Sequence, residues 1–207
     1  MADEAPKDRD DLVQMVIDVL CAYLRVPYTP APGPLPDHAT AEQAQSHDER
    51  DLDFAALREV RHTIIRIIGN RLREEPRWRG KNYDFTGTVF DGGDFSRAHF
   101  TGGTVSFLGA HFTDGADTGG KVSFSDALFT GAEVSFSNAH FTVGSMPFLR
   151  GLVNFSSASG TCPSGLLQAA KEGDFSAVVL PKQWQPTADE GDGQERGQPP
   201  ANEEPGH

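Results

Sequence analysis

Residues 85–100 read Phe85-Thr-Gly-Thr-Val-Phe90-Asp-Gly-Gly-Asp-Phe95-Ser-Arg-Ala-His-Phe100, with a phenylalanine at every fifth position. Phenylalanines continue to Phe155 in steps of five or seven residues, except for one gap of twelve. This Phe ladder holds twelve of the fourteen phenylalanines of the chain: Phe85, Phe90, Phe95, Phe100, Phe107, Phe112, Phe124, Phe129, Phe136, Phe141, Phe148 and Phe155. Such self-similarity predicts a solenoid, whose repeats bury their apolar side chains by stacking on their neighbours.

The residue two positions before each Phe indicates a strand. After a five-residue step it is small, and after a longer step it is mostly valine. Side chains two apart in a strand share one face, so both residues of each pair point inward, and a seven-residue step preserves that direction. The small partners are Thr88, Gly93, Ala98, Ala110, Ala127 and Ala139, and the larger ones are Val105, Val122, Val134, Met146 and Val153.

Residues 85–100 and the stretch Val122-Ser-Phe-Ser-Asp-Ala-Leu-Phe129 resemble the pentapeptide-repeat family, in its Phe-rich actinobacterial-type branch. The unit of that family is a small residue, a polar residue, Leu or Phe, and two variable positions. The resemblance covers residues 82–156 and implies a mainly β fold, a right-handed four-sided β-helix with one repeat on each side. The seven-residue steps and the insert at 113–121 depart from the regular repeat.

The rest of the chain divides into flanking segments. We expect residues 1–9 to be disordered, 10–25 to form an amphipathic helix, 26–47 a Pro-rich flexible linker and 50–80 a capping helix. After the solenoid at 82–156, we expect a C-terminal cap at 157–184 and an acidic disordered tail at 185–207. Residues 1–47 and 186–207 offer little to bury, so we expect them to be dispensable for folding. The apolar face of the first helix is predicted to consist of Leu12, Met15, Val16, Val19, Leu20 and Tyr23.

Composition indicates a cytoplasmic protein. The acidic N-terminus has no apolar signal region, and the apolar run Met15 to Leu24 contains Asp18 and is too short to span a bilayer. The two cysteines, Cys21 and Cys162, follow no metal or redox spacing and are expected to be reduced thiols.

The net charge of −12 suggests a second function, imitation of DNA. The resemblance implies this alternative, because relatives that protect DNA gyrase from quinolones imitate the acidic surface of a duplex. Residues 81–160, however, carry only seven acidic residues against four basic ones. A duplex segment as long as this rod, ~17 Å, would carry about ten charges. Direct nucleic-acid binding is not expected, because the basic face belongs to the capping helix and is either solvated or packed on the rod.

Three candidate sites have simpler explanations. Gly115 to Lys121 fits the start of a phosphate-binding loop, but Val122 replaces the Ser or Thr that would bind magnesium, and a repeat strand follows. The outward residues His99, His111 and His140 are not expected to converge on a metal ion. The outward serines have no His–Asp partners to make them nucleophiles, and they are Ser106, Ser123 and Ser135.

The sequence therefore predicts a non-catalytic scaffold with no cofactor and no metal site. We expect its outer faces to bind an unidentified protein partner, with His99, His111 and His140 on the interaction surface. A homodimer formed through one end of the solenoid remains open. An enzyme would need a pocket, which a Phe-filled rod of this width is not expected to contain.

Overall fold

The computed structural model describes residues 8–27, 31–113, 120–142, 152–173 and 175–186. In these ranges the helices are α1 (Asp8–Arg25), α2 (Ala41–Glu74) and α3 (Leu166–Glu172). Short 3-10 helices lie at Phe175–Ala177 and Lys182–Trp184. The strands are two or three residues long: β1 (Tyr83–Asp84), β2 (Val89–Phe90), β3 (Gly93–Asp94), β4 (His99–Phe100), β5 (Thr104–Ser106), β6 (His111–Thr113), β7 (Val122–Ser123), β8 (Leu128–Phe129), β9 (Glu133–Ser135), β10 (His140–Thr142), β11 (Val153–Asn154), β12 (Ser159–Gly160) and β13 (Val178–Val179).

The strands stack in parallel into four sheets. Sheet 1 contains β1, β5 and β9, and sheet 2 contains β2, β6 and β10. Sheet 3 contains β3, β7, β11 and β13, and sheet 4 contains β4, β8 and β12. The chain visits the sheets in this order in each of three successive coils. The prediction of short parallel strands stacked as in a repeat solenoid is therefore confirmed.

Stacked phenyl rings fill the space behind the sheets. In each column the centroids of successive rings are between 4.5 and 5.2 Å apart. Each of these phenylalanines is at most 3% exposed. The columns are Phe85, Phe107 and Phe136 (sheet 1), Phe90, Phe112 and Phe141 (sheet 2), Phe95, Phe124 and Phe155 (sheet 3), and Phe100 and Phe129 (sheet 4).

The partner two positions before each Phe forms columns of its own. Valine occupies sheets 1 and 3, as Val105 with Val134 and Val122 with Val153, whereas alanine predominates beside sheets 2 and 4. Gly93 breaks the valine column at the first coil. A Cβ at Gly93 would lie 2.8 Å from Ile65 of α2, so the helix fills the space that valine takes in later coils.

The five-residue steps from sheet 1 to sheet 2, and from sheet 3 to sheet 4, are single β-turns. In each, the amide three residues after a Phe donates to the carbonyl of that Phe, as Ala98 does to Phe95 at 3.0 Å. The residue two after the Phe has positive φ, as in a type II turn. These residues are Gly87, Arg97, Gly109, Asp126, Asn138 and Ser157.

Inserts collect at one corner of the coil. The step from sheet 2 to sheet 3 is five residues in the first coil, but Phe112 and Phe124 are twelve apart, and Phe141 and Phe155 are fourteen apart. Phe148 falls within the last of these connections, outside the described residues, so its place on the ladder stays a prediction. Even when Phe148 is left out, the third coil has a phenyl ring behind each of sheets 1 to 3.

Helix α2 begins earlier than the sequence predicted. It starts at Ala41, inside the segment assigned to a linker, and ends at Glu74 rather than continuing to residue 80. Thr40 is its N-cap and makes a reciprocal capping box with Gln43. The first turns are polar and mostly exposed, so they lack the apolar periodicity from which a helix is recognised.

Helix α1 is part of the cap, so the expectation that residues 1–47 have little to bury was wrong. Ile17, Cys21 and Leu24 are at most 1% exposed and belong to the same core as the phenylalanines. The predicted apolar face was wrong for five of its six residues, since only Leu20 packs against the core. Leu12, Met15, Val16, Val19 and Tyr23 are exposed, because α1 docks through the side of the helix that carries Ile17.

Polar side chains from the cap satisfy the open edge of the first coil. The amide of Gln14 exchanges two hydrogen bonds with the backbone of Asn82, at 2.8 and 3.0 Å. Arg61 donates to the carbonyl of Val89 at 2.8 Å, and Arg73 donates to that of Ser96 at 2.7 Å. An unpaired strand edge invites further strands, and these donors close it.

The last coil is closed by a different set of groups. Helix α3 contacts β10, and β13 extends sheet 3. The indole of Trp184 lies edge-on to Phe129 and Phe155, with centroids 5.6 and 5.9 Å away. Its Nε1 donates to the carbonyl of Gly160 at 3.2 Å, and Gln183 donates to that of Ala158. Both ends of the Phe columns are therefore covered.

Candidate interaction surfaces

The outer surface of sheet 2 carries a stacked pair of histidines. β6 and β10 place His111 and His140 in register, and their rings lie 4.6 Å apart at an angle of 23°. Val89 holds the equivalent position in the first coil. Strand alternation directs the imidazoles outward, because the phenylalanine that follows each histidine points inward. We call His111, His140 and the neighbouring Thr142 the sheet-2 face.

Electrostatics favour the neutral form of His111. Partial burial lowers the pKa of His111 below its usual 6.5, and the neighbouring His140, whose ring lies 4.6 Å away, lowers it further. In the neutral form the His111 ring offers one donor and one acceptor nitrogen.

His99 lies apart from this pair. It belongs to β4 in sheet 4, where its register partner is Leu128. Burial, and then the charge of Arg79, lower its pKa. The structure thus brings together two of the three histidines named from the sequence and puts the third on another sheet.

A row of three threonines follows sheet 4. The register of β4, β8 and β12 aligns Phe100 with Phe129 and Gly160, so the next residues, Thr101, Thr130 and Thr161, also align. All three are exposed. Only the inter-coil register reveals this row, because the spacing along the chain is irregular.

The outward serines are tied into hydroxyl pairs, between coils at Ser106 and Ser123 and within one coil at Ser135. Ser96 and Ser123 are 2.6 Å apart, and Thr86 and Ser106 are 2.9 Å apart. Ser135 bonds Ser137 at 3.1 Å. These hydroxyls form hydrogen bonds with other Ser and Thr side chains of the rod, an arrangement that supports the fold.

The sequence did not indicate a buried cluster between cap and rod. Asp91 is 2% exposed, and its carboxylate contacts Arg58 Nε at 2.9 Å and His62 Nε2 at 2.8 Å. Arg61, 1% exposed, donates to the carbonyls of Leu24 and Val89. One signal was available: Asp91 follows Phe90 where the later coils have Thr113 and Thr142. The cluster joins both helices to the first coil.

The resemblance to a phosphate-binding loop finds no structural support at its C-terminal end. Residues 114–119 lie outside the described ranges, but β7 begins at Val122, so a strand follows Lys121. A Cβ at Gly120 would lie 1.9 Å from the carbonyl oxygen of Asp91, which shows how closely this residue packs on the first coil.

Residues in the described part of the chain line surface clefts that are open to solvent. One of about 240 Å³ lies between the Pro32–Pro36 segment and the start of α2, and one of about 280 Å³ lies beside Glu133 and Cys162. The described part of the chain has no group of three His, Cys, Asp or Glu residues arranged to hold a metal ion. Within the same residues, each helix is too short or too polar to cross a membrane.

Comparisons with protein-family models, with curated proteins and with solved structures found no match to this chain. Its functional interpretation therefore depends on the geometry of its own surfaces.

Proposed function

We propose that this chain is a non-catalytic pentapeptide-repeat scaffold of the cytoplasm that binds a protein partner through its outer faces. One observation carries the proposal. Stacked phenyl rings occupy the interior behind all four sheets, so the regular outer surface is what remains for recognition. Repeat proteins use such extended surfaces for binding.

The family assignment is part of this proposal. The chain passes from sheet 1 to sheet 4 once per coil, which supports a four-sided helix. Parallel strands joined by crossover connections are overwhelmingly right-handed, which supports a right-handed coil. The Phe columns with small partners match the repeat unit that the sequence resembles.

We place the binding surface on the sheet-2 face. His111, His140 and Thr142 offer hydrogen-bonding groups on a short stack of parallel strands. The lowered pKa of His111 favours its neutral form, which loses less hydration energy on burial than a charged group and so suits a protein interface.

The test begins with affinity capture from the native cell, using the intact chain as bait. A captured protein would then be purified and titrated against variants. We expect the double substitution H111E/H140E to abolish binding, because it places charge at the centre of the interface. The matched control, His99→Glu on sheet 4, should bind as the wild type does. Equal loss in both variants would refute a partner site on sheet 2.

The second candidate is a DNA-like protein that binds or protects DNA gyrase, favoured by the net charge of −12. Three acidic residues of the rod already contact cap arginines: Asp84 with Arg25, Asp91 with Arg58, and Asp94 with Arg73. This pairing weakens the resemblance to a duplex. Protection of purified gyrase that fades steeply as salt rises would establish this alternative over the scaffold.

A further inference from the structure

Helix α1 has a second apolar side. Its inner side, with Ile17, Cys21 and Leu24, is buried in the cap. Its outer side carries apolar residues that are between 37% and 64% exposed, Leu12, Met15, Val16, Val19 and Tyr23, and Val26, directly after the helix, is 53% exposed. No part of the chain that the structure describes covers this outer side, which we call the α1 outer face.

The spacing of these residues is that of a coiled-coil seam. Leu12, Val16, Val19 and Tyr23 follow one another in α1 at steps of four, three and four. This is the alternation of a and d positions in a heptad, which directs apolar side chains against a second helix. A helix that only capped the rod would need no such seam on its outer side.

Exposure of this kind is typical of an interface. The apolar residues of the α1 outer face keep between 37% and 64% of their surface exposed, and a contiguous exposed apolar patch marks an interaction site. A standard interface buries about 800 Å² on each partner, so a second copy would cover the α1 outer face together with polar residues around it.

The charges of α1 favour a second copy of the chain as the binding partner, and they favour an antiparallel orientation of the two helices. The first turn of α1 contains Asp8, Arg9, Asp10 and Asp11, which together carry a net charge of −2, whereas Arg25 in the last turn pairs with Asp84. Two copies in antiparallel orientation keep their acidic first turns apart, and their helix dipoles oppose favourably. A parallel pair would bring the acidic turns together. The same acidic residues disfavour an anionic membrane surface.

We propose that two copies of this chain associate through the α1 outer face as an antiparallel helix pair. Leu12 packs against Tyr23 of the second copy, and Val16 packs against Val19 of the second copy. The contact is two-fold symmetric and closes on itself, giving a dimer. The two rods then extend from a shared central cap.

The first experiment is sedimentation equilibrium on the full chain. We expect wild type at micromolar concentration to show twice the monomer mass of 22.4 kDa. Val19→Glu buries a charge twice per dimer and should raise the dissociation constant at least about a hundredfold. Leu52→Glu is the control, because Leu52 is 71% exposed on α2 and outside the seam. A monomeric wild type, or a Val19→Glu dimer as tight as wild type, overturns the proposal.

Oxidative cross-linking tests the direction and does not depend on Val19→Glu remaining folded. With Cys162 replaced by serine in every chain, a mixture of Val16→Cys and Val19→Cys chains should form a disulfide between the two variants. Preferential coupling of Val16→Cys to itself would overturn the antiparallel arrangement. If wild type is monomeric and instead sediments with phosphatidylcholine vesicles, the face binds lipid and the dimer is refuted.

Discussion

Individual side chains divide the interior space of each coil between them. A phenyl ring fills the axis, and its partner two positions earlier fills the remainder: alanine beside a tight turn, valine beside a longer connection. Gly93 shows that filled volume decides which residue stands at a position. There, Ile65 from α2 occupies the space that valine holds at Val122 and Val153. Each core position is therefore sensitive to volume.

Phe124→Ser should cost ~3–5 kcal/mol of the free energy of unfolding, as for other large aromatic truncations. Its ring stacks between Phe95 and Phe155 at 5.1 and 4.8 Å, so the substitution opens a cavity and leaves a hydroxyl inside it. Urea denaturation would measure the change. Thr130→Ala, an exposed control in the next turn, should cost less than ~0.5 kcal/mol. Similar losses for the two variants would contradict the inward register of the ladder.

The lowered pKa of His111 predicts how the stability of the protein varies with pH. Its pKa is lower in the folded protein than the usual 6.5, so as pH falls below 6.5 the unfolded chain takes up a proton first. Stability should therefore fall between pH 7 and the lower folded pKa, then level off. The melting temperature of His111→Gln should decline less over this interval than that of the wild type, whereas Thr130→Ala should follow the wild type. A steeper decline of the melting temperature in His111→Gln would show that folding does not lower the pKa of His111.

Helices α1 and α2 act on the first coil as one element. Arg61 of α2 donates both to the carbonyl of Leu24 in α1 and to that of Val89 in β2. Gln14 and Arg73 hydrogen-bond to backbone groups at two further points of the first coil. The cap therefore uses side-chain hydrogen bonds where a preceding coil would have used backbone ones.

Deleting residues 1–27 should destabilise the protein and expose the first coil. The deletion removes Ile17, Cys21 and Leu24 from the core and leaves Arg61 without its acceptor on Leu24. We expect a lower melting temperature and aggregation detected by light scattering. Deleting only residues 1–7 should leave the melting temperature unchanged. If both truncated proteins melt like the full chain, α1 contributes nothing to the cap.

Gly69→Ala should destabilise the protein, the opposite of its usual effect in a helix. Alanine normally favours a helix by about 1 kcal/mol over glycine. Here an added Cβ would lie 2.2 Å from the backbone carbonyl oxygen of Asp94 in β3, so α2 must move away from the rod. Gly33→Ala, which meets nothing within 4 Å, is the control. A higher melting temperature for Gly69→Ala would rule out this close contact.

The whole molecule shares a single core. One continuous cluster of buried residues runs from Ile17 in α1, through the Phe columns, to Trp184 in the C-terminal cap. Caps and rod thus protect each other from water, and we expect them to unfold together. A separate loss of the cap would expose both its own isoleucines and the edge of the first coil.

The reactivity of the two free cysteines shows whether the cap and the rod unfold together. Burial raises the pKa of Cys21 to about 12, and the side chain is 1% exposed, whereas Cys162 is only partly buried. A disulfide reagent at pH 8 should therefore label Cys162 first, and label Cys21 only as the protein unfolds. The labelling rate of each thiol is measured on its own in the Cys21→Ser and Cys162→Ser variants, because each variant keeps only one of the two cysteines. Rapid native labelling of Cys21 would mean that α1 detaches independently of the rod.

The inward pattern of the solenoid was predictable from sequence because it is local. Alternation within a strand and the five-residue turn decide which side chains face the axis, whatever lies elsewhere in the chain. The Phe ladder therefore revealed the parallel strands and nearly all of the rod core. The same alternation identified His99, His111 and His140 as outward residues, but it could not show which of them share a sheet.

The remaining features depend on contacts between residues far apart in sequence. His111 meets His140 only because β6 and β10 pair in register one coil apart, and Asp91 is buried only because α2 brings Arg58 and His62 to it. The side of α1 that is buried follows from Gln14 binding the backbone of Asn82, 68 positions away. An amphipathic pattern cannot choose between two apolar sides of one helix. That choice belongs to the tertiary structure, because the docked side must match the open edge of the first coil in both shape and hydrogen bonding.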